Sequence, residues 1–238
     1  MGAIYNWKRE VSWWDDLEVP DDKLKGNDTF DWLQEVRPHA MEHDYVLSTD
    51  GSGCKHGWGG YAAIIQKVGP TENLGRAVVD TNALVHATYG STVQRCELTS
   101  FIDGVHSILH KELGEDREEE FNAESHAGPL SIFSGPNRLS ILWLTDRANL
   151  AKALLFNEYG EPLNARKTEI DLWLRYSGMA RYVCVTPQFT PRNTIQEQAQ
   201  CDELAGTARK LLKEKLENLE EFTTLFNKEC PIPQKARF

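Results

Sequence analysis

The order in which the hydrophobic period changes along this chain constrains its fold more than any single motif. Residues 45–50 form a short apolar run that Gly51-Ser-Gly53 breaks, as a buried strand meeting a turn would. Residues 58–66 form a second run containing the small residues Gly59, Gly60, Ala62 and Ala63. Between 77 and 87, Val79, Thr81, Ala83, Val85 and Ala87 alternate with other residues, which predicts a third strand. The period then becomes helical: Leu98, Phe101, Ile102, Val105, Ile108 and Leu109 lie on one face of a helix over 96–113. Residues 141–145 read as a buried strand ending at Asp146, and 148–156 and 167–176 as helices. A fifth strand spans 182–186 and is expected to stop at Pro187 and Pro191. A long helix then runs from about Glu197 towards Asn227, with Leu204, Ala208, Leu211, Leu212, Leu219 and Phe222 on its apolar side. This order predicts an α/β fold: a five-stranded mixed sheet flanked by helices on both faces.

Two segments stand apart from that body. Residues 1–43 are acidic and carry Trp7, Trp13, Trp14 and Trp32, which predicts an extension that docks through its aromatic residues or serves as a partner-binding arm. Residues 114–139 are polar, acidic and contain Gly and Pro, the composition of an insertion after the first helix. The body is expected over 44–228, with a tail at 229–238. No apolar run reaches membrane-spanning length, and the first residues lack the apolar stretch of a secretory signal. Five cysteines (Cys54, Cys96, Cys184, Cys201 and Cys230) are scattered, odd in number and without a CxxC pair. That usage points to a reducing compartment, cytoplasmic or nuclear, and away from a zinc site. The net charge of −10 runs against the basic footprint common among nucleic-acid binders, although the acidic residues are unevenly spread.

Four carboxylates carry the chemistry. Asp50 and Asp146 each end a buried strand, Glu97 opens the first helix, and Asp202 lies early in the last one, so all four could meet at one sheet edge. Carboxylates converging without basic partners cannot all stay ionised cheaply, because like charges a few ångströms apart raise one another's pKa. Hard divalent cations with a preference for oxygen ligands resolve that conflict. Two such ions about 3.5–4 Å apart can activate a water and stabilise a leaving oxygen in phosphodiester cleavage.

The surroundings of these acids resemble the ribonuclease H family. Thr49-Asp-Gly-Ser-Gly53 followed by Gly59-Gly-Tyr-Ala-Ala-Ile-Ile65 is similar to its first motif. Gln94-Arg-Cys-Glu-Leu-Thr99 looks like its (N/Q)-R-x-E-L-x-A motif, with Ser100 where the alanine is expected. Leu144-Thr-Asp146 resembles its T-D-S motif, with Arg147 in place of the serine, and Cys201-Asp-Glu-Leu-Ala205 resembles its closing C/A-D-x-L-A motif. Asp171-Leu-Trp173 echoes a helix before the fifth strand of bacterial members. The resemblance covers about residues 45–210 in matching order. It implies that Asp50, Glu97, Asp146 and Asp202 bind two Mg²⁺ or Mn²⁺ ions and that the RNA strand of an RNA–DNA hybrid is hydrolysed. It also implies that main-chain groups at Gly51 and Ser52, with Gln94, sense the 2′-hydroxyl. Residues 188–200 contain no histidine of the kind many members carry there; Thr190-Pro-Arg192 resembles a P-R variant, so Arg192 would contact phosphate.

Other features fit ordinary roles. His106 and His110 have metal-ligand spacing on a helix but no evident third ligand, so they read as a solvated face. Trp143 and Trp173 read as core, and Cys54 lacks a base that would make it a nucleophile. The basic excess at Arg147, Lys152, Arg166, Lys167, Arg175, Arg181 and Arg192 is consistent with a phosphate-tracking surface or with helix solubilisation. Two other functional readings stay open: a nuclease of the same fold acting on a DNA junction or as an exonuclease, and a non-catalytic binding module recruiting a protein through the acidic extension or insertion.

Overall fold

The computed structural model describes residues 40–54, 57–71, 75–114, 138–154, 169–190 and 195–217. Within them, nine elements follow the expected order: β1 (Tyr45–Gly53), β2 (Trp58–Pro70), β3 (Arg76–Tyr89), α1 (Val93–Leu113), β4 (Leu139–Thr145), α2 (Ala148–Ala153), α3 (Ile170–Met179), β5 (Val183–Phe189) and α4 (Gln196–Glu217). The sheet order is β3-β2-β1-β4-β5. β1, β2 and β3 form an antiparallel meander, whereas β4 pairs parallel with both β1 and β5. This is the five-stranded mixed sheet read from the periodicity. Among the described residues, no helix is long and apolar enough to cross a membrane.

Strand alternation divides the core between the two faces. Tyr45, Leu47, Ile141, Trp143 and Val183 pack against Leu98, Phe101, Ile102 and Val105 of α1, together with Leu150 and Leu154 and with Leu172, Tyr176 and Met179 from the α3 region. On the opposite face, Val46, Val68, Leu142 and Leu144 meet Ile195, Ala62 and Ile64 meet Cys201, Leu204 and Ala205, and Ala87 meets Ala208 and Leu212. α4 therefore crosses the sheet diagonally, starting over β1 and β4 and ending over β2 and β3. Trp143 is fully buried, stacks on Phe101 at a centroid distance of 4.0 Å, and donates its indole N–H to Thr49 Oγ1 at 2.8 Å. Trp173 packs half-buried beside that core.

Several boundaries differ from the expected ones for physical reasons. β2 continues past Gln66, whose side chain is buried within the sheet face despite its polarity. α1 begins three residues earlier because Thr92 caps it, its hydroxyl accepting from the Arg95 amide at 3.1 Å. β5 does not stop at Pro187 but runs to Phe189; it is an edge strand, where a missing amide is tolerated. Ala40 and Met41, at the end of the extension, pack on Val46 and Val68, while residues 1–39 lie outside the described residues. So do residues 115–137 of the insertion, the segment 155–168, Arg192, and residues 218–238 with the tail.

Gly60 is where α4 comes closest to the sheet. A Cβ there would fall 2.1 Å from the Ala205 carbonyl oxygen and 2.8 Å from the Arg209 amide, both backbone atoms. At Gly104 the obstruction is the flexible end of Leu47. Gly60→Ala is therefore expected to lower unfolding free energy by about 1–3 kcal/mol in urea titrations, the usual scale of overpacking. Gly104→Ala should cost less, and equal costs would contradict this account of how α4 docks.

Candidate metal centre

Asp50 lies within β1, opposite Ala62 of β2. On its other side β4 runs parallel, with Ser48 beside Leu144, and continuing that register by two residues sets Asp50 beside Asp146 just past the strand end. Glu97 arrives from above through a contact that only glycine permits. A Cβ on Gly51 would fall 2.4 Å from the Glu97 amide and 2.9 Å from Cys96 Cβ, so its absence lets α1 rest directly on β1. Ser100, one turn further, donates its hydroxyl to the Ala62 carbonyl while fully buried. The serine that stands where the resembled motif has alanine thus ties α1 to β2.

Carboxylate oxygens of Asp50, Glu97 and Asp146 all lie within 4.8 Å of one another, close enough to hold one ion together. Among the described residues this is the only such group, so the His106/His110 pair, with ring centroids 6.3 Å apart, gains no third ligand. Asp202, half-buried on α4, is outside that group but near enough for its charge to act on Asp50. The structure thus brings three of the four expected acids together and sets the fourth at their margin.

Burial makes this arrangement costly. Asp50 and Glu97 are 2% and 1% exposed. Loss of hydration pushes both carboxyls well above the usual range, and their mutual repulsion with Asp146 adds to it. The two groups are close enough to share a proton, which favours one charge between them. The Gly51 amide donates to Asp50 Oδ1 at 2.7 Å and opposes part of the shift. Glu97 Oε2 is buried and receives no hydrogen bond. A set of hard oxygen donors holding one unused buried lone-pair site suits a divalent cation such as Mg²⁺ or Mn²⁺.

One expectation is corrected. The acids do not converge without a basic partner: Arg147 Nε lies 3.1 Å from Glu97 Oε1. Its position immediately after Asp146 was the available signal, but a spacing alone does not show which way a long side chain turns.

The remaining expected residues are distributed around the cluster. Gly51 and Ser52 pair with Tyr61 and Gly60 across β1 and β2. Gln94 lies in the first turn of α1, its amide 3.4 Å from Glu169 Oε2. The same end of α1 is joined to α3 by the Arg95–Asp171 pair, in which both guanidinium Nη atoms reach the carboxylate. The residues around Asp202 on α4 also pack that helix onto the sheet. Cys201 Sγ contacts the Ser48 carbonyl at 3.3 Å, Gln198 donates to the Thr49 carbonyl at 2.6 Å, and Ala205 lies over Gly60. Sequence reading missed Glu197, which is 1% exposed and whose pKa burial pushes up to about 8.

No protein-family model and no curated protein matches the sequence. Solved structures do match. LC11-RNase H1 in complex with an RNA/DNA hybrid is 10% identical over 71% of this chain and 98% of its own, with a TM-score of 0.46. The N-terminal RNase H domain of a Mycobacterium tuberculosis protein is 15% identical over 73% and 99%, with a TM-score of 0.47. A foamy viral protease-reverse transcriptase in complex with dsDNA is 16% identical over 71% and 96%, with a TM-score of 0.41. These are loose superpositions at low identity, and the chemistry of the site follows from its own residues. With an antiparallel β1–β3 meander, β4 and β5 added in parallel, and helices on both faces, the chain has a ribonuclease-H-like fold.

Proposed function

We propose that this chain is a divalent-metal-dependent endonuclease that hydrolyses the RNA strand of RNA–DNA hybrids. The observation that carries the reading is the convergence of Asp50, Glu97 and Asp146 at one sheet edge, each inside its ribonuclease-H-like motif. Asp50 and Asp146 would hold the ions, Mg²⁺ or Mn²⁺, with Glu97 and Asp202 completing the two-ion site. Such ions, when bound, supply an activated water and a counter-charge for the leaving oxygen. The protein's own part is to present ionised carboxylates in a fixed place, which requires Asp50 and Glu97 to release their shared proton. Main-chain groups of Gly51 and Ser52, with Gln94, would meet the 2′-hydroxyl that distinguishes RNA from DNA, and Arg192 a substrate phosphate. A protein partner would be recruited through the acidic segment 1–43 or the insertion 114–139, in a cytoplasmic or nuclear setting.

A cleavage assay on matched hybrid, duplex DNA and junction substrates tests the proposal. Asp50→Asn should reduce hybrid cleavage by roughly three orders of magnitude or more. Because Asp50 is already pushed towards its neutral form, the amide should leave metal-free stability unchanged or slightly higher. An active Asp50→Asn variant would remove the metal chemistry. Cleavage of duplex or junction DNA in preference to hybrid would instead overturn the substrate assignment alone.

The raised carboxyl pKa values also fix a sign. Asp50, Glu97 and Glu197 ionise more readily unfolded than folded, so the native state holds more protons and metal-free stability falls as pH rises above the ordinary carboxylate range. Asp50 and Glu97 would have to give up a proton to hold a divalent ion, so the gain in Tm on adding Mg²⁺ should be larger at about pH 8.5 than at about pH 5.5. Thermal melts of Asp50→Asn should show little of that gain, while the Glu197 contribution to the pH slope persists. A gain in Tm independent of pH would contradict proton displacement.

A further inference from the structure

Arg147 occupies a position that the metal reading leaves unexplained. Its amide donates to Thr145 Oγ1 at 3.1 Å, which anchors the backbone at the end of β4. Its side chain, 49% exposed, reaches inward so that Nε meets Glu97 Oε1, while the Glu97 side chain is only 2% exposed. A half-solvated cation is therefore paired with a buried anion. Because the backbone anchor is independent of the side chain, the guanidinium can swing to solvent without moving the strand end.

Charge accounting gives the contact a consequence. Asp50, Glu97 and Asp146, with Asp202 at their margin, carry at most four negative charges, which two divalent ions would balance. A guanidinium held on Glu97 adds a positive charge within a few ångströms of the same oxygens, and a cation bound there would be repelled by it on the scale of charges near a protein surface. Arg147 is also the residue at which this chain departs from the T-D-S pattern it otherwise resembles.

We propose that Arg147 is a resident counter-cation that competes with a divalent ion for the charge of Glu97, so that metal loading and the Arg147–Glu97 pair weaken each other. This rests on the metal-centre reading above. The metal-free cluster is thereby stabilised by an internal cation, and the protein holds its ions less tightly than the carboxylates alone would. Glu97 is the contested ligand, whereas an ion held by Asp50 and Asp146 is affected only through space.

The test is Mn²⁺ binding to the intact chain, followed by calorimetry and by the paramagnetic resonance of free Mn²⁺, without substrate. Arg147→Ser should tighten Mn²⁺ binding at least about tenfold, the scale of one removed charge–charge repulsion near a protein surface. Arg147→Lys keeps the charge and should stay within about threefold of the parent. Metal-free Arg147→Ser should also melt lower than the parent, since Glu97 loses its partner, and Mn²⁺ should restore more than that loss. Equal Mn²⁺ affinity in the parent and Arg147→Ser would overturn the competition and leave the metal centre standing. If neither binds Mn²⁺ in a manner abolished by Asp50→Asn, the metal centre itself falls and the competition with it.

Discussion

The approach of α1 to β1 at Gly51 is the contact on which the site depends. With any side chain at that position, the helix would have to withdraw from the strand, because the obstructing atoms are the Glu97 amide and the Cys96 backbone and Cβ. Withdrawal would carry Glu97 away from Asp50 and Asp146, and three carboxylates able to share one ion would become separate surface or boundary acids. The same logic holds on the other face, where Gly60 lets the backbone of α4 touch β2 and so brings Asp202 towards Asp50. Two glycines in adjacent strands thus set how near Glu97 and Asp202 come to Asp50, while the parallel pairing of β1 with β4 places Asp146.

Holding charges this way is unfavourable by itself, and the rest of the fold offsets it. Asp50 and Glu97 lose hydration without gaining enough donors, which is why both resist ionisation. Around them the structure is anchored by contacts that do not involve the acids. Trp143 stacks on Phe101 and bonds Thr49, one residue before Asp50. Gln198 and Cys201 grip the Thr49 and Ser48 carbonyls from α4, and Ser100 grips Ala62 from α1. Asp50 is therefore positioned mainly through its neighbours in β1, and although its Oδ1 accepts the Gly51 amide, its carboxylate still lies beside those of Glu97 and Asp146, where a cation would sit.

The element order and most of the site were legible because both depend on local patterns. Period-2 and period-3.6 segments reflect one-sided burial, and Asp146 and Glu97 fell just past a strand end and near a helix start; Asp50, expected to end its strand at a Gly51–Gly53 turn, instead lies within β1, because pairing with β2 continues through Gly53. What escaped had non-local causes. Gln66 looked like a strand end because it is polar, yet β2 continues through it, since its pairing with Val46 of β1 and Thr81 of β3 is unbroken there. Pro187 looked like a stop, but among the described residues β5 pairs with β4 alone, and sheet order is not written in any one segment. Glu197 reads as an ordinary first-turn acid on α4, and only the diagonal crossing of that helix over the sheet buries it. Arg147 was visible as a departure from a motif, but the direction of its side chain depends on where α1 places Glu97.

The overall charge of −10 looks adverse to phosphate binding until it is divided along the chain. Residues 1–39 hold nine acidic and five basic side chains, and residues 115–137 hold six acidic and one basic, so these two segments account for nine of the ten net negative charges. From 138 to 217, the stretch containing β4, β5 and α2 to α4, twelve basic residues face ten acidic ones, and Asp146 and Asp202 are among the ten. An electrostatic argument about substrate concerns the field near the cluster, which falls off within about a Debye length of 8 Å at physiological salt. Over that range the local balance of carboxylates, Arg147 and any bound cation decides the sign, and each divalent ion taken up changes it by two. The net charge of the chain therefore argues about its acidic segments and what they meet, and says little about whether the sheet edge at Asp50 accepts a phosphodiester.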